Sequence, residues 1–219
     1  MARNNSTPNL EYIRKLYAVQ DELLTSISDI LQQEKNMAIN IGAEEGRILQ
    51  LLIALHGTKT IVEIGTLAGY STIWLARALP QDGHIYTINR DEKHIQMAKN
   101  SFAKCECANK ITMLEGDAHL VLPTLKTSAP YDMIFIDADK ISYIDYLDWA
   151  EKNIRKNGLI IADNTLLAGK VIQETPPENI APTTWKNMRL FNERLADKNK
   201  YNTIMIPTTE GLTVAIKLF

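Results

Sequence analysis

The segment TIVEIGTLAGYS, residues 60–71, changes the periodicity of the chain and with it the fold. Residues 60–65 are a short β-rich run closed by a glycine, and a helical pattern begins at about Tyr70. Strand, glycine turn and helix in that order open a βαβ unit. Upstream, apolar residues recur at helical spacing through residues 8–34: Leu10, Ile13, Leu16, Tyr17, then Leu23, Leu24, Ile27, Ile30, Leu31. A second helix is expected from about Ala43 to His56, where Ile48, Leu51, Leu52 and Leu55 share a face.

Downstream, strand and helix alternate. HIYTIN (84–89), KITMLEG (110–116), YDMIFID (131–137) and GLIIADN (158–164) read as strands. Helices are expected from about Asp91 to Lys104, near 118–126 and over 140–156. Continuous apolar strands separated by helices predict a parallel sheet covered on both faces. The right-handed crossover rule makes that sheet doubly wound. ETPPENIAPTTW (174–185) carries too many prolines for a regular element and reads as a loop. After a helix near 185–197, YNTIMIP and GLTVAIKLF are separated only by Thr208–Glu210, a connector that fits a hairpin and is too short for a crossover. The expected fold is therefore α/β, a Rossmann-like, doubly wound, mostly parallel seven-stranded sheet with an antiparallel C-terminal hairpin strand and N-terminal helices. One domain is expected over residues 1–219, with 1–56 as a helical extension and 57–219 as the core.

At 219 residues and 45% hydrophobic content, the chain is long enough to bury a core without staples. No apolar run approaches the ~20 residues of a membrane span, and MARNNSTPNLEY has no signal-like apolar region. A cytoplasmic location is the expectation. Cys105 and Cys107 form a C-x-C, a spacing that does not readily close a disulfide, and no second pair is present for zinc. Two free thiols are expected. The formal charge is −2 with both signs well mixed, so there is no electrostatic footprint for nucleic acid or an anionic membrane.

Two regions carry chemistry. In VEIGTLAGYS, Gly65 and Gly69 let the backbone turn and a ligand approach the helix start. The spacing is neither G-x-G-x-x-G nor a Walker pattern. Glu63 at the strand end would repel a pyrophosphate but suits a ligand carrying positive charge. S-adenosylmethionine meets these conditions, having an ammonium, a sulfonium and a carboxylate but no phosphate. Ser71 and the helix N–H groups offer its carboxylate a place, and Asn89 stands where a hydroxyl-binding residue belongs at the second strand's end. The plainer reading is a βα turn with no ligand.

The second region joins two strand ends. Asp137 closes one, and Asp163 with Asn164 closes the next. Parallel strands one crossover apart carry these ends on one sheet edge. Three hard oxygen donors without His or Cys suit a divalent cation, Mg²⁺ above all. Lys140 lies one turn further on; a nearby dication favours its neutral form, which serves as a general base. The plainer reading makes DN a turn and Asp137 a helix cap.

With these motifs the chain resembles the cation-dependent, S-adenosylmethionine-dependent O-methyltransferases, the group of catechol and caffeoyl-CoA O-methyltransferases and their bacterial relatives. The resemblance covers roughly residues 37–219 and rests on EIGTLAGYS, FIDADKISYIDY and ADNTLLAGKV, supported by LPQDG and GLTVAIK. It implies that Ile41, Glu63, Gly65 and Ser71 line the methionine end of the cofactor. It places Asn89 at the ribose, Ala118 and His119 at the adenine, and Asp139 near the cofactor. Asp137, Asp163 and Asn164 are then the cation ligands and Lys140 the catalytic base. The implied partner is a small hydroxylated aromatic acceptor, with the protein a homodimer. At the ribose position the family usually carries Asp or Glu, and Asn89 has a single acceptor oxygen. Leu167 and Ala168 replace the Trp and small polar residue that touch the acceptor in many relatives, which leaves the acceptor open.

Three alternatives follow from the same residues. Methylation of a hydroxylated tRNA base fits the family but not the mixed surface charge. A non-catalytic nucleoside-binding module fits Asn89, yet not the retention of Asp137, Asp163, Asn164 and Lys140 together. An NAD-dependent dehydrogenase lacks its glycine pattern and its acidic second-strand end.

Overall fold

The computed structural model describes residues 7–33 and 40–219. The seven strands form one mixed sheet ordered β3-β2-β1-β4-β5-β7-β6, the strands being β1 Thr60–Ile64, β2 His84–Asn89, β3 Ile111–Glu115, β4 Tyr131–Ile136, β5 Ile154–Ala162, β6 Tyr201–Ile206 and β7 Leu212–Lys217. The residues cluster into two compact units, Met1–Val121 and Leu122–Phe219.

The first unit holds α1 Pro8–Tyr17, α2 Glu22–Gln33, α3 Ala43–His56, α4 Tyr70–Ala78, α5 Glu92–Phe102 and α6 Ala118–Val121. The helical periodicity of residues 8–34 is realised as two helices, with residue 34 outside the described residues. Pro8 and the Thr7 cap start α1, and Asp21 interrupts the run because its carboxylate accepts from Leu24 N (3.0 Å) as a helix cap. β1, β2 and β3 pair in parallel. Ile61, Val62, Ile64, Ile85 and Ile88 are buried, as are Ile73 and Leu75 of α4 and Ile95, Ala98 and Phe102 of α5, each large side chain contributing about 1.5–3 kcal/mol by burial.

The expectation of two free thiols is corrected here: Cys105 and Cys107 form a disulfide. After α5 the backbone winds tightly, with Cys105 N–H bonded to Phe102 O and Ala108 N–H to Cys105 O. That turn brings the two Cα atoms to 5.1 Å, a span a disulfide bridges, where an extended C-x-C would hold them roughly 7 Å apart.

The second unit holds α7 Tyr143–Asn153 and α8 Pro182–Leu195. The helix expected near 118–126 is mostly a 3-10 stretch, Leu122–Ser128, since Pro123 lacks the N–H that an α-helix interior needs. β4 and β5 pair in parallel with Ile136 opposite Ala162. The hairpin is present, and its last strand, β7, lies antiparallel between β5 and β6. Met133–Ile136 and Leu159–Ile161 are buried, as are Tyr143, Tyr146 and Leu147 of α7 and Met188 and Phe191 of α8. Among the described residues no helix is long and apolar enough to cross a membrane.

Candidate active site

In the first unit the end of β1 turns through Gly65 (φ 100°) and Gly69 (φ 87°), both in the left-handed region. Gly69 is required twice over: a Cβ there would also lie 2.5 Å from Phe102 Cε1. The turn delivers the chain to the N-terminus of α4, whose first N–H groups face outward along the helix axis. Beneath it, Glu63 is wholly buried. Ser71 Oγ donates to Glu63 Oε1 (2.6 Å), and Thr72 and Thr87 hydroxyls donate to Oε2. Sequence reading places Glu63 beside a cationic ligand; the structure commits both its oxygens to hydroxyl donors, so it ties the turn to β2. Ser71 spends its proton on Glu63, which leaves its oxygen as an acceptor for an ammonium and leaves a carboxylate to the helix N–H groups. Tyr70, adjacent, donates to Gln20 Oε1 (2.7 Å), and burial pushes its phenol up to about 12.

Ile41 is buried just before α3. Asn89, half-buried, turns its amide oxygen back to the loop, accepting from Arg90 N (2.8 Å) and Asp91 N (3.2 Å). Its single acceptor is thus engaged, and a ribose would meet only the Nδ2 donors. Ala118 and His119 open α6, where Asp117 Oδ1 accepts from His119 N (2.9 Å) as the cap; Ala118 is half-buried and His119 exposed.

The second unit brings Asp137, Lys140, Asp163 and Asn164 together. Asp163 N donates to Ile136 O (3.0 Å), so Asp137 and Asp163 leave adjacent strands one step beyond the Ile136–Ala162 pair. Asp163 is fully buried and accepts from Asn164 N (2.7 Å), which folds Asn164 into the left-handed region at φ 59°. Asparagine tolerates that conformation better than most residues. Lys140 Nζ lies 3.2 Å from Asp137 Oδ1. Ser142 Oγ and Tyr146 Oη each donate to the Asp139 carboxylate at 2.6 Å, which ties it to the turn into α7. Leu167 (φ 51°) and Ala168 (φ 53°) also sit in the left-handed region, in the loop that follows Asn164.

Among the described residues no group of three or more His, Cys, Asp or Glu side chains is arranged to hold a metal ion. The set at β4 and β5 is different in kind, two carboxylates and one amide oxygen. Its chemistry fits a hard dication, because two carboxylates balance the charge and all three donors are oxygens.

Sequence reading missed Tyr143, Thr72 and Thr87. Tyr143 Oη accepts from Lys140 Nζ (2.9 Å) and donates to Asp163 O (2.8 Å). Its signal was the three-residue spacing from Lys140, which places two side chains on one helical face. The two threonines had none, since buried hydroxyls look like ordinary strand and helix residues.

A family model described as O-methyltransferase matches residues 15–218. Catechol O-methyltransferase from Niastella koreensis is 36% identical over 212 residues, covering 94% of each chain. Caffeoyl-CoA O-methyltransferase 1 from Zea mays is 29% identical over 205 residues, covering 91% of this chain and 80% of that one. Among solved structures, the O-methyltransferase TomG from Streptomyces achromogenes, in complex with SAM, superposes with a TM-score of 0.88 at 30% identity over the whole of both chains. An O-methyltransferase from Bacillus cereus in complex with SAH gives 0.84 at 29% identity, covering 94% and 96%. Fold and sequence together define an S-adenosylmethionine-dependent methyltransferase. More narrowly, the chain belongs to the O-methyltransferase family.

Proposed function

We propose that this enzyme transfers the S-adenosylmethionine methyl group to one hydroxyl of a small catechol-like acceptor in a divalent-cation-dependent reaction. The observation that carries the reading is the grouping of Asp137, Asp163, Asn164 and Lys140 at two neighbouring strand ends. The name of the 36%-identical relative, a catechol O-methyltransferase, supports the acceptor class.

Asp137, Asp163 and Asn164 would hold the cation, most simply Mg²⁺; when bound it supplies Lewis acidity to an acceptor hydroxyl. Bound S-adenosylmethionine supplies the methyl group. In the first unit, the α4 N-terminus receives the methionine carboxylate, Ser71 and Gly65 border that end with Ile41, and Glu63 sets a negative field beneath it. Asn89 meets the ribose, Ala118 and His119 the adenine, and Asp139 holds the turn that presents Lys140. Lys140 takes the acceptor proton: the O–H bond breaks, an N–H bond forms, and the oxygen gains the methyl carbon as the sulfonium loses it. The products are a methyl ether and S-adenosylhomocysteine. Alignment of acceptor and methyl donor should account for much of the acceleration.

We also propose one methyltransferase domain per chain and a cytoplasmic homodimer. α1 buries none of its residues and leaves Tyr12, Leu16 and Tyr17 exposed, which supports a second copy as its cover. Light scattering at micromolar concentration tests the dimer.

The function is tested by methyl transfer to a panel of catechols, monophenols and tRNA, with Mg²⁺ or with EDTA. Transfer to catechols that chelation abolishes and Mg²⁺ restores is expected, with Asp137→Asn and Asp163→Asn both impaired. Activity that survives EDTA overturns the cation; transfer only to tRNA overturns the acceptor.

A further inference from the structure

We propose that Tyr143 is a positioning residue that aims the Lys140 amine; the inference rests on Lys140 being the base proposed above. Four observations converge on the tyrosine. It is fully buried, and its ring meets Phe191 edge-on, centroids 5.2 Å apart. Its hydroxyl donates to the backbone carbonyl of Asp163 at 2.8 Å, with Ile136 O further off at 3.4 Å. The same hydroxyl accepts from Lys140 Nζ at 2.9 Å. Finally, Lys140 Nζ stands 5.0 Å from the Tyr143 ring centroid.

The direction of these bonds matters. A phenol has one proton, and Tyr143 gives it to the strand end that carries Asp163, so toward Lys140 it is an acceptor. Asp137 Oδ1, 3.2 Å from Nζ, is also an acceptor. A tetrahedral amine bonded to Cε and donating to two fixed acceptors has one direction left. In the neutral amine that direction holds the lone pair. Tyr143 and Asp137 therefore set where the base points, and they leave it a single line along which to take a proton. A lysine side chain has four rotatable bonds and, without such anchors, would spread its nitrogen over many positions. Because the ring of Tyr143 is locked by packing against Phe191, the anchor itself does not move.

Tyr143 is also a buried residue of α7, so a purely structural role is the competing account. A double-mutant cycle of Tyr143→Phe and Lys140→Met separates the two, with Tyr201→Phe as a control that removes another buried hydroxyl bond, to Glu151. The holo reaction is run with catechol, S-adenosylmethionine and Mg²⁺. Cofactor affinity is measured separately by calorimetry, and Lys140 reactivity by reductive methylation and peptide mass mapping without substrate. Tyr143→Phe is expected to lower kcat about 10- to 100-fold, the scale of a misplaced catalytic group, with cofactor affinity unchanged and Lys140 labelled faster. In the Lys140→Met background it should add nothing, and Tyr201→Phe should leave kcat at the wild-type value. If Tyr143→Phe keeps full kcat while Lys140→Met collapses, the positioning role is overturned and the base stands. The positioning role also fails if the two losses multiply, or if Lys140 labelling does not change. If Lys140→Met itself keeps full kcat, the base reading falls and the role of Tyr143 falls with it.

Discussion

Replacing Asn89 with Asp should tighten S-adenosylmethionine binding, and the structure sets the size of the effect. The amide oxygen of Asn89 already accepts from Arg90 N (2.8 Å) and Asp91 N (3.2 Å). An aspartate keeps that turn with one oxygen and brings a second that asparagine lacks. The second oxygen can accept from a ribose hydroxyl, a charge-assisted bond contributing roughly 1.5–3 kcal/mol. Two local fields modify this. The N-terminus of α5 begins two residues on and favours a carboxylate by about 0.3–1 kcal/mol. Against it stand the carboxylates of Asp91, the helix cap, and Glu92 in the first turn, like charges that cost a comparable amount in a half-exposed setting. Arg90 does not compensate, because its guanidinium is drawn toward Asp117 Oδ2 (3.2 Å). A net gain of about 1.5–3 kcal/mol remains, equivalent to roughly 10- to 150-fold in Kd. Calorimetric titration of both proteins measures it directly, and a thermal melt of each checks that the turn survives. An unchanged or weaker Kd in an equally stable variant would refute the placement of Asn89 at the ribose.

Glu63→Gln leaves one acceptor oxygen for three hydroxyl donors and sets an NH₂ group either against Ser71 or against both Thr72 and Thr87. Roughly 1–3 kcal/mol of stability should be lost, read as a fall in Tm of about 3–10 °C, together with weaker cofactor binding. Gly69→Ala combines a left-handed φ with a Cβ 2.5 Å from the Phe102 ring; a cost of about 2–4 kcal/mol follows, and adding Phe102→Leu should recover the contact part of it in denaturant melts.

The fold was legible because the decisive signals are periodic. Runs such as Met133–Ile136 and Leu159–Ile161 had to be strands covered on both faces, and the three-residue gap before GLTVAIK forced a hairpin. What was not legible came from single residues acting on the backbone. Asp21 splits one helical pattern into α1 and α2 by capping Leu24 N, although the apolar spacing runs straight across it. Pro123 turns an expected helix into a 3-10 stretch. The C-x-C disulfide depends on how tightly the chain winds after α5, and no pattern in CEC states the direction of a turn. In the candidate site, oxygen donors at strand ends were visible from topology, whereas hydrogen-bond direction was not. The bonds of Ser142 and Tyr146 to the Asp139 carboxylate are an example, since the sequence FIDADKISYIDY does not state them.

Glu63 and Asp137 show why residue type at a strand end is too coarse a predictor of its use. Both are carboxylates at the C-terminal end of a parallel strand, where ligands bind in such folds. Glu63 points among Ser71, Thr72 and Thr87, and three hydroxyl protons satisfy it inside the protein. Asp137 has the lysine ammonium 3.2 Å away and keeps 13% of its side chain exposed. A carboxylate saturated by hydroxyls is costly to redirect, because a new ligand must replace bonds already made in a dry site. One bonded by a lysine through Oδ1 is easily shared, since the contact with Lys140 can stay while the carboxylate takes a further ligand. The first arrangement builds a rigid turn and the second builds an exchangeable site. The difference is set by the neighbours that each strand end meets, namely hydroxyls at the start of α4 for one and Lys140 with Tyr143 at the start of α7 for the other.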